Sequence, residues 1–165
     1  MNSILNRRSI RKYKPEMPSE KMISDILEAG FYAPTAKNLK PWHFVVINDR
    51  TILNKITEFH PHSSMLNTAP LAVIVCGDTA ISPEMWDQDC AAATENILLR
   101  SYELGLGSCW CAVYPREHIM KGFSLLLNLD DNIKPFSMIA IGYPDEERRR
   151  PERFKEDRIH YNKFK

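Results

Sequence analysis

The sequence predicts an α/β or α+β domain in three layers, organised around about four strands. Two features of the pattern point there. Segments with helical spacing of apolar residues alternate along the chain with short strand-like runs. One of those runs, Leu71 to Cys76, is continuously apolar, as strands buried on both faces are, and Phe136 to Ile141 reads as a further buried strand. At 165 residues the chain is long enough for one domain with a substantial core. The expectation is a single domain over residues 1–165, with 144–165 as a basic C-terminal extension.

The elements follow in order. Met1 to Arg8 reads as a short helix leading into an extended Tyr13-Lys14-Pro15. Ser19 opens a clearer helix, with Met22, Ile23, Ile26, Leu27 and Gly30 on one face, and Ala33-Pro34 stops it. A polar loop, Thr35 to Lys40, then enters a strand from Trp42 to Ile47. Ile52, Leu53, Ile56 and Phe59 mark a second amphipathic helix, and residues 60–70, with two prolines and two histidines, read as a loop. The longest helix spans Glu84 to Leu104. Its Ala91-Ala92-Ala93 permits close approach of another helix, and Gly105 is placed to end it. Ser108 to Val113 is a strand, Pro115 to Gly122 a short helix, and Phe136 to Ile141 the last strand. Beyond Gly142-Tyr143-Pro144 the chain turns charged, with Arg148-Arg149-Arg150 and Arg153.

Composition narrows the function. An apolar content of 44% and a charged content of 26% are those of an ordinary globular protein. Lysine and arginine number 22 against 21 acidic residues, so no global field favours nucleic acid or an anionic membrane. No run of about 18 apolar residues is present, and the basic start lacks the apolar core of a signal peptide. A cytoplasmic protein is expected. The four cysteines are expected to be reduced and packed. Cys109 and Cys111 share one face of a strand, but their spacing suits neither zinc, a thioredoxin-like centre nor an iron–sulfur cluster. His60-x-His62 has no third ligand in view and reads as a pair of surface-loop histidines, so no metal is expected. Neither a Gly-x-Gly-x-x-Gly fingerprint nor a nucleophile elbow occurs.

Three motifs carry chemistry. Arg7-Arg8-Ser9-Ile10-Arg11 places four donor-rich side chains within five residues, able to hold a phosphate and a polar ring edge together. Taken alone it is equally a solvated basic face. Ala33-Pro34-Thr35-Ala36-Lys37-Asn38-Leu39-Lys40-Pro41-Trp42 follows one helix later, and Leu104-Gly105-Leu106-Gly107-Ser108-Cys109-Trp110 ends the long helix. In this order and spacing the three motifs resemble the nitroreductase family of FMN-dependent, NAD(P)H-using oxidoreductases, over essentially the whole chain.

The resemblance implies a nitroreductase-like α+β fold, a central, mainly antiparallel sheet flanked by helices, and a homodimer. It implies that Arg7, Arg8, Ser9 and Arg11 hold the phosphate, ribityl chain and pyrimidine edge of a bound FMN, with Arg11 near the charge of the reduced ring. Pro34, Thr35, Ala36 and Asn38 match a loop that reaches the flavin of the other subunit. Cys111, Ala112 and Val113 match a strand end whose backbone N–H groups, those of Ala112 and Val113 above all, face the reactive ring edge. Arg150 and Arg153 match a basic pair that closes on the phosphate, and Asn67 matches a further polar contact. NAD(P)H is then a transient reductant, giving hydride to flavin N5 for a small planar acceptor such as a nitroaromatic or quinone. No catalytic side chain is expected, because the flavin carries the chemistry. Reductive dehalogenation or flavin fragmentation, and a non-enzymatic basic-tailed binding module, are the alternatives. The chain departs from the family at Lys40, where glutamine often precedes Pro-Trp. It also lacks a long covering insertion, which implies a site that is open or closed mainly by residues 60–70.

Overall fold

A computed structural model describes residues 2–164; Met1 and Lys165, the two ends of the expected domain, lie outside the described residues. The sheet decides the class. Strands β1 (Trp42–Ile47), β2 (Leu71–Asp78), β3 (Gly107–Ala112) and β4 (Ile133–Gly142) lie in the order β1-β2-β4-β3. Every pairing is antiparallel, so the fold is α+β. The helices are α1 (Ser3–Asn6), α2 (Glu20–Phe31), α3 (Arg50–Phe59), α4 (Trp86–Glu103) and α5 (Glu117–Leu127). Among the described residues no helix is long and apolar enough to cross a membrane.

The three layers follow from the two-residue period of the strands. Ala72, Ile74 and Cys76 of β2, with Cys109, Cys111, Met138 and Ala140, face α3 and α5 and pack with Leu53, Ile56, Ile119 and Phe123. Leu71, Val73 and Val75, with Ile139 and Ile141, face the other way, onto Ile26 of α2 and Ala93 and Ile97 of α4. Both faces of β2 are therefore core, which is why its sequence is an unbroken apolar run. The caps agree with the expected starts and stops. Ser19 accepts the Met22 N–H at 3.3 Å to open α2, and Gly105, at φ 77°, follows α4 in the left-handed conformation.

Two elements run past their expected limits, each for a packing reason. Gly122 does not stop α5, which continues to Leu127 and ends on left-handed Asn128. A Cβ at Gly122 would stand 2.5 Å from the Phe59 ring, so the glycine serves the approach of α3. The last strand begins before Phe136, at Ile133, and so takes Pro135 into an interior strand. A bulge permits this: Val75 faces Ser137 while Cys76 faces Pro135, so the missing proline N–H falls where the ladder is already interrupted.

The chain's first residues are stitched along the free edge of β3. Ser9 forms a parallel bridge with Ser108, and the Ile10 N–H donates to the Ser108 carbonyl at 3.0 Å. Lys14 N–H donates to Tyr143 O at 2.9 Å, and Asp145 N–H returns a bond to Lys12 O at 2.9 Å. Ile10 and Tyr13 are buried, and the Tyr13 hydroxyl lies between the Ile10 and Ala140 carbonyls. That approach requires Gly107, where a Cβ would sit 2.8 Å from Ile10 Cβ. Gly107→Ala should therefore destabilise the domain by about 1–3 kcal/mol, the usual range for overpacking. Urea unfolding would read the loss, and limited proteolysis within residues 7–14 should quicken with it; unchanged stability would show that the seam adjusts.

Candidate functional site

The seam between the N-terminal segment and β3 borders a cavity of about 370 Å³, lined in part by Arg7, Arg8, Gly107, Ser108 and Arg148. Three buried polar atoms there have no hydrogen-bond partner: Arg7 Nε, Arg8 Nε and Ser108 Oγ. Arg7 has only a long ion pair, Nε to Glu95 Oε1 at 3.6 Å, and Arg8 donates from Nη2 to the Leu5 carbonyl. Buried donors left unpaired cost about 1–3 kcal/mol each, so such a cluster marks a place built for an acceptor.

Arg150 and Arg153, exposed on the C-terminal tail, converge on the same point. With Arg8 they line an adjoining cavity of about 520 Å³. Desolvation, then the charges of Arg153, Arg7 and Arg150, lower the Arg8 pKa. Four guanidinium groups from the two ends of the chain thus share one neighbourhood, a donor set suited to phosphate. Arg11 is exposed beside it. Its backbone N–H donates to Glu146 Oε1 at 2.6 Å, and Arg148 pairs with Glu146 Oε2 at 2.7 Å. Partial burial would raise the Glu146 pKa, but the Arg11 N–H and the Arg148 guanidinium hold it below the usual value.

The far end of β3 offers backbone groups. Val113 and Tyr114 both donate their N–H to the Phe136 carbonyl, at 3.2 and 2.9 Å. The register then turns the polar groups of the alternate residues Ser108, Trp110 and Ala112 toward the free edge. Ala112 is the exposed member at the strand end. Of the two expected backbone donors Ala112 is thus free to face a ligand, whereas the Val113 amide is committed within the sheet. Cys111 is buried, its thiol near the His62 carbonyl at 3.3 Å; contact with Cys109 and burial raise its pKa and keep it protonated.

The loop of Pro34, Thr35, Ala36 and Asn38 is held elsewhere. The Ala36 N–H donates at 2.9 Å to buried Asp89 in the first turn of α4, and the Lys40 N–H donates to Thr35 Oγ at 3.2 Å. Lys37, Asn38 and Lys40 all have positive φ, at 52°, 57° and 53°, an unusual concentration for residues with side chains. Asp89 precedes Glu95 and Glu103, which Arg7 and Ser3 contact, by about 9 and 21 Å along the helix axis. Within one chain the loop and the basic segment do not meet. Asn67 is exposed on a further cavity of about 440 Å³, lined also by Tyr13, Arg50 and Thr68.

The comparisons with known proteins now bear on this geometry. The model of the family described as "Nitroreductase family" matches residues 4–63 and 59–143. The chain belongs to the nitroreductase family. A relative from Archaeoglobus fulgidus, assigned as an NADH dehydrogenase/NAD(P)H nitroreductase, is 45% identical over 99% of this chain and 98% of its own. A crystal structure from Clostridium acetobutylicum, assigned as an NADH oxidase, superposes with TM-score 0.95 at 42% identity, over 99% of this chain and all of that one. An FMN-dependent nitroreductase from Clostridium difficile superposes with TM-score 0.93 at 32% identity, over 99% and 100%.

Several residues of this nitroreductase site were not singled out by sequence reasoning. Ser108, Glu146 and Asp89 acquire their places only through long-range contacts, and no local signal separates them from other surface-type residues. His60 was read as a surface histidine, yet it is 1% exposed and its Nε2 lies 3.2 Å from the Ala112 carbonyl. It directly follows Phe59, which ends the amphipathic pattern of α3, and that was the available signal. The unpaired Ser108 hydroxyl yields a test. In the ligand-free nitroreductase Ser108→Ala should raise stability by roughly 1 kcal/mol, by removing a buried group with no partner. Urea unfolding of the two proteins measures it, and a loss of similar size would mean the hydroxyl is satisfied.

Proposed function

We infer that this nitroreductase-family chain is an FMN-dependent oxidoreductase that uses NAD(P)H to reduce a small, planar, electron-poor acceptor such as a nitroaromatic or quinone. The observation that carries the reading is the set of unpartnered buried donors, Arg7 Nε, Arg8 Nε and Ser108 Oγ, where Arg150 and Arg153 also converge. These residues fit the phosphate end of FMN. Arg7, Arg8, Arg150 and Arg153 would hold the phosphate, and Ser9 would meet the ribityl chain. When bound, FMN supplies a ring that accepts hydride at N5 and passes on two electrons. Arg11 would stand near the pyrimidine edge, its charge favouring the anionic reduced ring, and the Ala112 N–H would orient the opposite edge. NAD(P)H and the acceptor would occupy the same open face in turn.

The purified protein tests this directly. A yellow spectrum should bleach with NADPH or NADH and recover with a nitroarene or quinone. Heat should release FMN on chromatography. Finding FAD, or no flavin after reconstitution, would overturn the reading.

A homodimer completes the proposal. Phe154, Tyr161 and Phe164 on the tail are 70%, 79% and 86% exposed in the single chain, aromatic surface that a partner subunit would cover. The loop 34–38 lies too far along α4 to serve its own chain's basic segment, whereas two-fold symmetry would bring it to the partner's flavin. Arg11→Glu and Asn38→Trp should each be inactive as homodimers. After random subunit exchange about half the dimers are mixed, and each mixed dimer holds one site with neither defect, so about a quarter of wild-type activity should return. No recovery, with exchange confirmed by tagged subunits, rejects the shared site.

A further inference from the structure

His60 caps the C-terminus of α3 and is buried between the 60–70 loop and the end of β3. Both ring nitrogens are engaged. Nε2 lies 3.2 Å from the Ala112 carbonyl, which can only accept, so Nε2 carries the hydrogen. The His62 N–H donates to Nδ1 at 3.3 Å, so Nδ1 is bare. The backbone on either side therefore dictates one neutral tautomer. The ring carbonyl neighbour is itself tied down, for the Ser63 hydroxyl and N–H both donate to His60 O, at 2.7 and 3.2 Å. Phe123 of α5 covers the ring edge-on with centroids 6.3 Å apart.

The bond matters because of what Ala112 is. It is the exposed end of the edge strand, its N–H turned outward, and its carbonyl has no partner in β4. The peptide that carries this carbonyl is held on its inner side, where the Val113 N–H donates to the Phe136 carbonyl at 3.2 Å, and His60 holds it from the outer side. We propose that His60 is a positioning residue for the flavin-facing end of β3, latching the 60–70 loop to the Ala112–Val113 peptide and so limiting rotation of Ala112 about the Cα that also carries its outward N–H. This rests on the reading of Ala112 given above.

The latch is built for the neutral ring. A proton on Nδ1 would point at the His62 N–H and break the second bond. The charged and titratable groups that act on the ring are His62 on its own loop and Arg116 at the start of α5, and both oppose a positive charge. Ala112 and Phe123, packed against it from β3 and α5, bring no charge. Burial first, and these two groups after it, lower the His60 pKa from 6.5 despite the bond to Ala112. The folded value lies below the unfolded one. Both bonds are therefore complete at neutral pH; as pH falls through the lowered value the His62 bond is lost, while the Nε2–H bond to Ala112 remains.

Two variants separate this role from mere packing. His60→Gln can still donate to Ala112 and accept from His62, but does not titrate; His60→Leu fills the space and does neither. FMN binding by fluorescence quenching, and amide exchange of residues 110–114 in the flavin-free protein, would be measured at about pH 7.5 and about pH 5. At the higher pH, wild type and His60→Gln should bind alike, with His60→Leu about tenfold weaker. At the lower pH, any protonation of Nδ1 frees the His62 N–H but not the Ala112 carbonyl, so wild type should still bind better than His60→Leu. Undiminished binding by His60→Leu, or exchange of its residues 110–114 no faster than in wild type at the higher pH, would overturn the proposal. Failure of wild type to bind FMN at either pH would instead overturn the flavin reading, and exchange in the flavin-free protein would then decide the latch by itself.

Discussion

The site depends on a close backbone contact between the start of the chain and the edge strand. Ile10 crosses β3 where Gly107 has no side chain, and the Ile10 N–H finds the Ser108 carbonyl. An edge strand must be covered or paired, and here the covering segment carries the arginines. Because Ile10 is buried on one side of that seam and Tyr13 lies beyond it, the chain between them has little freedom. Arg7, Arg8 and Arg11 are delivered to their places by apolar burial and main-chain bonds, not by attraction for one another, which their like charge opposes.

That like charge is itself informative. Arg7, Arg8, Arg150 and Arg153 are gathered from opposite ends of the chain against mutual repulsion, with Glu95 as a distant counter-ion to one of them. The fold bears this strain and leaves three buried donors unpaired. An anion that arrives there relieves both defects at once, so its binding energy is large for few contacts. This is how a polar site is preorganised: the protein holds its donors in position before the ligand comes, and no reorganisation is needed when it does.

The rest of the site is built from geometry more than from side-chain chemistry. The antiparallel register sends alternate peptides of β3 outward, so the same strand offers core cysteines on one face and backbone donors at its edge. The loop after α2 is held by buried Asp89 through three left-handed residues, and such strain persists only where the surroundings determine it. Neither feature uses a titratable nucleophile or base, in keeping with chemistry carried by a cofactor.

Much of this was legible in the sequence. The unbroken apolar run of Leu71 to Cys76, the shared face of Cys109 and Cys111, and the helical spacing from Ser19 and from Glu84 respond to local sterics and burial. Those elements stand close to where the pattern puts them. The basic run, the Pro34–Asn38 loop and the Gly-Leu-Gly turn were legible as motifs because their order survives whatever the fold does. Tertiary structure alone decided the rest. It carried β4 through Pro135 by a bulge at Phe136 of the same strand, and α5 past Gly122 because Phe59 needed the room. It buried His60, committed the Val113 amide to Phe136 while leaving that of Ala112 outward, and set Ser108 and Asp89 against distant partners. In each case the outcome turns on a contact between residues far apart in the chain, and a local pattern holds no term for the residue on the other side.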